Sequence, residues 1–201
     1  MRALATISLL LLATSTPLAA EDLDLRCDGI FGADASHQKI VDAFGTGNVT
    51  FAEVPGDEGT FPEATVVFPT EPAKRLNVVW IDDQTRTRPN WIYVGEDSQW
   101  SIGGLRVGMP IAEVETLNGR PFTLGGFNDI DLGVVQDWGG GKLDLRSGPC
   151  RVVVSFGYPY FGIPLDINDP LESEGSYSST DPAYHALGAK IRSLELFFVY
   201  E

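Results

Sequence analysis

The chain has 201 residues and a formal net charge of −14 at pH 7, from 28 acidic and 14 basic residues. Such an acidic surface is repelled by nucleic-acid phosphates and by anionic lipids, so we expect neither as a partner. A composition that is 43% hydrophobic and 10% aromatic is typical of a folded domain and not of a disordered chain. The charge attracts a basic partner protein or divalent cations, although solubility alone also accounts for it.

Residues 1–20 have the pattern of a cleaved secretory signal. Arg2 supplies a positive start, residues 3–14 form an apolar run, and small residues at 17–20 precede Glu21 and Asp22. The apolar run is shorter than the about 20 residues that cross a membrane. The alternative is a buried N-terminal helix. We predict a signal peptide over 1–20, no membrane span, and a periplasmic or secreted mature protein.

Cys27 and Cys150 are the only two cysteines in the sequence. In an oxidising compartment such a pair is expected to form one disulfide. Two free thiols or a redox pair are the alternatives, but the wide separation lacks the C-x-x-C spacing of redox pairs. We therefore predict a structural disulfide.

Residues 21–103 predict a first module, in which a helix precedes antiparallel strands. A short strand or arm at 21–27 is followed by a helix start at 34–36. Apolar residues of the helix at 37–44 share one face, and Gly45 ends it. Alternating patterns predict the strands that follow, at 48–54, 64–68, 75–82, 91–94 and 100–102.

Residues 104–201 predict a second module of the same kind. Pro110 suits the first turn of a helix over 111–117, which Asn118 and Gly119 end. Residues 157–179 read as a flexible or binding loop. Further strands at 142–145, 151–156 and 192–200, and one short helix at 181–187, complete the module. The predicted fold class is α+β and β-dominated, with two tandem modules of helix packed on antiparallel sheet, related as weak repeats.

No catalytic signature is present. His37 and His185 are the only histidines, each in a short predicted helix, and no nucleophile elbow surrounds any serine. Lys142 after the glycines at 139–141 lacks the spacing of a phosphate-binding loop. With 28 acidic residues, no carboxylate pair is distinctive enough to indicate a glycosidase. We predict no catalytic residues, no metal site and no cofactor, and leave open whether the protein is an enzyme.

Two further features are candidates for binding. The acidic loops at 129–131 and 166–169 place oxygens at alternate positions, as calcium prefers, or are simply solvated turns. Aromatic residues in or beside turn-rich sequence are the candidate binding residues, because such side chains anchor proteins or sugars. They are Trp100, Trp138, Tyr158 and Tyr160. The alternative is that they belong to the core.

Residues 104–115, GLRVGMPIAEVE, resemble the GM-(S/T)-x-x-E-V helix start of small envelope domains. Those domains are related to the SmpA/OmlA outer-membrane assembly lipoproteins and to β-lactamase inhibitory protein. Residues 118–121, NGRP, resemble their LG-x-P helix end, and the GLRVGM…NGRPF segment is also similar to uncharacterised exported bacterial proteins. The chain departs from the pattern at Pro110, in place of a Ser/Thr cap, at Asn118 before the glycine, and in lacking the lipoprotein cysteine.

The resemblance implies helices packed on a small antiparallel sheet, with two such units in tandem in the inhibitor. Together with the lack of catalytic motifs, it favours an exported non-catalytic binding protein, either an envelope assembly factor or an inhibitor of a secreted enzyme. Its expected partner is another protein, with a basic one favoured by charge. The alternative is a glycan-binding or glycan-hydrolysing envelope protein that acts through Trp138 and the loops at 158–177.

Overall fold

The computed structural model describes residues 23–56, 59–127, 133–144, 149–158 and 174–200. This part of the chain forms an α+β fold dominated by antiparallel sheet, as the sequence predicts. Its three α-helices are α1 (His37–Phe44), α2 (Ile111–Asn118) and α3 (Pro182–Ala186). Its strands are β1 (Val49–Glu53), β2 (Glu63–Val67), β3 (Leu76–Asp82), β4 (Thr87–Val94), β5 (Ser101–Ile102), β6 (Leu105–Arg106), β7 (Thr123–Gly125), β8 (Val135–Asp137), β9 (Cys150–Gly157), β10 (Ser176–Ser178) and β11 (Lys190–Phe198).

The main sheet has six antiparallel strands in the order β1-β2-β3-β4-β11-β9. β1 to β4 come from the segment 21–103, whereas β9 and β11 come from 104–201, and β11 pairs directly with β4. Residues of both segments also share one hydrophobic core. The two predicted modules therefore build one sheet, to which each adds an eight-residue helix. Smaller sheets have the orders β10-β7-β8 and β5-β6.

Helix α1 begins and ends where its sequence signals predict. The Ser36 side chain accepts a hydrogen bond from the Lys39 backbone N–H at 3.2 Å, which satisfies one free donor of the first turn. Gly45 ends the helix with a φ of 84°, a value that favours glycine. Ile40 is fully buried, so the apolar face anticipated for this helix points into the core.

The strand predicted at 142–145 is wrong in its described part, because Lys142 and Leu143 lie in a turn. The backbone N–H of Leu143 donates to the side-chain oxygen of Asn118 at 3.1 Å and so has a partner outside any sheet. Gly141 precedes this turn, and a Cβ atom there would collide with the Asn118 side chain. The glycine is thus required by a close approach to a buried amide.

Cys27 and Cys150 lie at disulfide-bonding distance, with Cα atoms 5.8 Å apart. The predicted pairing is therefore present, and it joins the N-terminal segment to the start of β9. Backbone hydrogen bonds of 2.7 Å from Leu25 N–H to Ser101 and from Ser101 N–H to Leu23 also hold that segment.

The two faces of the main sheet differ in how far the rest of the protein covers them. The inner face carries fully buried residues that pack into the core, among them Leu76, Val78, Ile92, Val94, Leu194 and Leu196. Because side chains alternate along a strand, the residues between them point to the opposite, outer face. These outer-face residues include Asn77, Val79, Trp91, Tyr93, Glu195 and Phe197.

Candidate functional site: the outer groove

A groove of about 560 Å³ lies on the outer face of the sheet, and we call it the outer groove. Its floor consists of outward-pointing side chains of β3, β4 and β11. Segments that follow β1, β2 and β4 form its rim. The lining residues are Val54, Pro55, Gly56, Pro69, Pro72, Arg75, Asn77, Val79, Trp91, Tyr93, Gly95, Glu96, Asp97, Ser98 and Glu195.

Strand register sets the order of side chains across the floor. Tyr93 of β4 is paired with Asn77 of β3 on one side and with Glu195 of β11 on the other. Directly paired residues on one sheet face have Cβ atoms about 5 Å apart. An amide, a phenol ring and a carboxylate therefore lie side by side in one row.

Trp91 forms the apolar end of this floor. It packs against a small buried cluster formed by Val54, Ala64, Val66 and Val79. Its ring centroid also lies 6.1 Å from that of Phe197, its partner on β11. Trp91 is only partly buried, so these neighbours fix the indole while leaving part of it accessible. A rigid, partly exposed aromatic of this kind loses little conformational freedom when a ligand binds.

The charge of the lining is negative. Among the described lining residues, Glu96, Asp97 and Glu195 contribute three carboxylates, whereas Arg75 contributes the single basic side chain. The Nε of Arg75 donates to the side-chain oxygen of Asn77 at 3.4 Å, which directs it toward the floor. Carboxylates beside aromatic rings favour a cationic ligand, because both attract an ammonium or guanidinium group.

Two of the predicted binding residues lie mainly in the core. Trp100 is 3% exposed, and its indole N–H donates to the backbone oxygen of Lys74 at 2.8 Å. Trp138 is 7% exposed, and its ring centroid lies 5.1 Å from that of Phe122. Neither tryptophan lines the outer groove. Their role in binding stays a prediction, and little of their surface is open to a ligand.

The other two predicted residues lie elsewhere. Tyr158 is partly buried, with its ring centroid 4.8 Å from that of Phe127, and it lines a second pocket of about 370 Å³. Tyr160 and the two acidic loops proposed for calcium lie outside the described residues. Of the predicted aromatic residues that the structure describes, only Tyr158 lines either of these two pockets.

Sequence reasoning did not select Trp91 and Tyr93, although it placed them in a strand. The signal that identifies them is their alternation with Ile92 and Val94, which are fully buried. Alternation shows that the two pairs point to opposite faces. It does not show which face stays open, since both pairs are apolar enough to belong to a core.

The histidines have different surroundings. His185 places Nε2 3.1 Å from the backbone oxygen of Ser179 and 3.7 Å from a carboxylate oxygen of Glu115. His37 places Nδ1 2.8 Å from Oγ1 of the fully buried Thr65. Desolvation by burial, and then the positive charge of Arg86, lower the pKa of His37 below its usual 6.5.

We expect acidification to destabilise the protein through His37. Because its pKa is lower in the folded state, the unfolded chain binds a proton first as the pH falls. The contribution of His37 to stability is therefore complete above about pH 6.5 and declines as the pH approaches the folded pKa. Denaturant midpoints measured between about pH 8 and pH 5 should fall less for His37→Gln than for the unaltered protein. An identical fall for His37→Gln and the unaltered protein would contradict the prediction.

Within the described ranges, no helix is long and apolar enough to cross a bilayer. The same residues contain no group of three or more His, Cys, Asp or Glu side chains arranged to hold a metal ion. Comparison with protein-family models, curated proteins and solved structures finds no match to this chain. The shape and charge of the outer groove are therefore the basis for a functional proposal.

Proposed function

We propose that this protein is an exported, non-catalytic binding protein that holds a basic segment of a partner protein in the outer groove. The observation that carries the proposal is the row formed by Asn77, Tyr93 and Glu195, with Trp91 beside it. This row places aromatic surface and negative charge within one groove. It accommodates a lysine or arginine side chain together with its apolar stem.

The physical chemistry of the groove supports a cationic segment over a neutral one. An ammonium or guanidinium group over the face of Trp91 or Tyr93 gains about 0.5–2 kcal/mol, depending on how far it is desolvated. The exposed carboxylates of Glu96 and Asp97 at the rim attract such a group from a distance. The net charge of −14 acts in the same direction and raises the rate of encounter with a basic partner.

Export is the second part of the proposal. The signal-like pattern of residues 1–20 supports it, because such segments direct a chain across the membrane. The pairing of Cys27 with Cys150 also supports it, since structural disulfides persist in oxidising compartments. Periplasm or medium is the proposed location, where the protein acts as an assembly factor or as an inhibitor of a secreted enzyme.

The test is capture of envelope proteins on immobilised mature chain, followed by affinity measurement with the captured partner. We expect Trp91→Ala to weaken binding at least about tenfold, as truncation of a central aromatic anchor commonly does. Phe61→Ala is the matched control, because Phe61 is an aromatic side chain that is 65% exposed and does not line the groove. Equal affinity of Trp91→Ala and the unaltered protein would overturn the proposal.

Ionic strength gives a second readout of the same complex. Raising the salt concentration from about 0.05 M to 0.5 M should weaken it, because screening shortens the range of charge attraction. A complex insensitive to salt would contradict the role of the carboxylates. Retention on immobilised oligosaccharide that Trp91→Ala abolishes would instead assign the outer groove to a glycan, at a place different from Trp138 and the loops at 158–177.

A further inference from the structure

The side chains of Trp80, Thr65 and His37 form a chain of hydrogen bonds beneath α1. The indole N–H of Trp80 donates to Oγ1 of Thr65 at 2.9 Å, and Nδ1 of His37 lies 2.8 Å from the same oxygen. Indole is only a donor, so the Thr65 oxygen accepts this bond and keeps its own hydrogen available. Thr65 is fully buried, and that hydrogen is satisfied when it is donated to Nδ1 of His37.

This chain of bonds determines which tautomer His37 adopts. A neutral imidazole that accepts at Nδ1 carries its hydrogen on Nε2. Within the described residues, Nε2 of His37 has no hydrogen-bond partner, and it is not among the buried unpaired atoms. His37 therefore presents a fixed N–H donor away from Thr65.

Arg86 and His37 both contact the ring of Phe51. The guanidinium carbon of Arg86 is 3.8 Å from the centroid of the Phe51 ring, and the His37 ring centroid is 5.8 Å from the same point. Stacking on an aromatic face leaves the in-plane N–H groups of a guanidinium available. In the part of the chain that the structure describes, the Arg86 side chain has no carboxylate partner, and its buried Nε has no hydrogen-bond acceptor.

The backbone holds Arg86 in a strained conformation at this place. Its φ of 52° lies in the left-handed region, which non-glycine residues rarely adopt. A hydrogen bond of 2.9 Å from the His37 backbone N–H to the Arg86 oxygen fixes the residue against the start of α1. Strain of this kind persists only where the surroundings enforce it, and it is concentrated at functional sites.

We propose that Nε2 of His37 and the terminal nitrogens of Arg86 form a binding site for a carboxylate group. The site does not depend on the outer groove, because Phe51 and Thr65 are paired on the inner face of the sheet. The planar fork of an arginine matches the two oxygens of a carboxylate, and the imidazole N–H supplies a further donor.

Nearby negative charge favours a carboxylate over a phosphate group. Glu53 and Glu63 are directly paired in register, and side-chain alternation places them on the same face as Phe51 and Thr65. These glutamates repel a dianion more strongly than a monoanion, because the energy scales with the product of the charges. The ligand is therefore a group such as an acidic side chain or a chain terminus.

The test follows the His37 imidazole by ¹⁵N NMR of the full chain at about pH 7.5, where the ring is neutral. The unaltered protein should show the Nε2–H tautomer, and its Nε2 signal should shift to a plateau as acetate is added at constant ionic strength. Inorganic phosphate should bind at least about threefold more weakly, as the paired glutamates require. Three results with the unaltered protein would overturn the proposal. These are an Nδ1–H tautomer, an Nε2 signal that reaches no plateau with acetate, or tighter binding of phosphate than of acetate.

Substitutions then locate the site. Arg86→Gln should weaken acetate binding at least about tenfold, as expected for the loss of a charge-assisted pair. Arg88→Gln is the matched control, because Arg88 also has a positive φ, of 60°, and stacks on an aromatic ring, with its guanidinium carbon 4.3 Å from the Tyr200 centroid. Arg88→Gln should leave acetate binding unchanged; equal weakening in both variants would refute the assignment to Arg86.

Discussion

Replacing Asn118 by aspartate is expected to lower the free energy of unfolding by about 4–5 kcal/mol, within the range for a buried, uncompensated charge. Asn118 is 1% exposed and ends α2. Its Nδ2 donates to the backbone oxygens of Arg120 at 2.8 Å and Trp138 at 2.9 Å. An aspartate oxygen in that position faces two carbonyl oxygens with no hydrogen to offer and adds a buried charge.

Asn118→Ala should cost less, about 2–4 kcal/mol, because it removes these bonds without adding charge. It also removes the Asn118 side-chain oxygen, which accepts a hydrogen bond of 3.1 Å from the buried backbone N–H of Leu143. Guanidinium unfolding at neutral pH measures both values. Asn90→Asp is the matched control, because Asn90 is only partly buried, and it should change stability by less than about 0.5 kcal/mol. Similar stabilities of the two aspartate variants would contradict this account of Asn118.

The helix ends were predictable because their signals are local. Ser36 and Gly45 bound α1, and Gly119 ends α2 with a φ of 75°, the left-handed value expected of a helix-terminal glycine. Asp181 likewise caps α3 by accepting from the Ala183 backbone N–H at 2.9 Å. Each of these contacts joins residues only a few positions apart, so a short stretch of sequence is enough to predict where each helix begins or ends.

The sheet order was not predictable in the same way, because it depends on pairing between distant segments. Periodicity identifies β4 and β11 as strands, but nothing local indicates that Tyr93 pairs with Glu195. The strands β7, β8 and β10 have three residues each, too few for an alternating pattern to be recognised. The Asn118 contacts with Trp138 and Leu143 likewise join residues 20 and 25 positions apart.

The candidate site, like the fold, was predictable only where local sequence determines it. The aromatic content of the chain was visible, but which rings are covered is decided by tertiary packing. Trp100 lies beside turns in the sequence yet is 3% exposed, whereas Trp91 lies within a strand and is partly accessible. The apposition of His37 and Arg86 depends on a left-handed residue in a hairpin, for which arginine gives no sequence signal.

Reduction of the Cys27–Cys150 pair is expected to lower the free energy of unfolding by about 3–5 kcal/mol. The two cysteines are 123 positions apart, so a bond between them restricts a large part of the unfolded chain. For a loop of about 100 residues the chain-entropy estimate is about 4.7 kcal/mol, and measured values are often smaller. This is a large share of the about 5–15 kcal/mol by which domains are usually stable.

The bond also holds a segment that has few other attachments to the sheet. Leu25 is 1% exposed and belongs to the core, but its segment is joined to Ser101 through an isolated bridge at Asp24 and not through a ladder. Guanidinium unfolding with and without reductant measures the loss, and the double variant Cys27→Ala/Cys150→Ala should match the reduced protein and not respond to reductant. A midpoint that reductant leaves unchanged in the unaltered protein would contradict the prediction. In that case the buried contacts of Leu25, and not the covalent bond, would anchor the N-terminal segment.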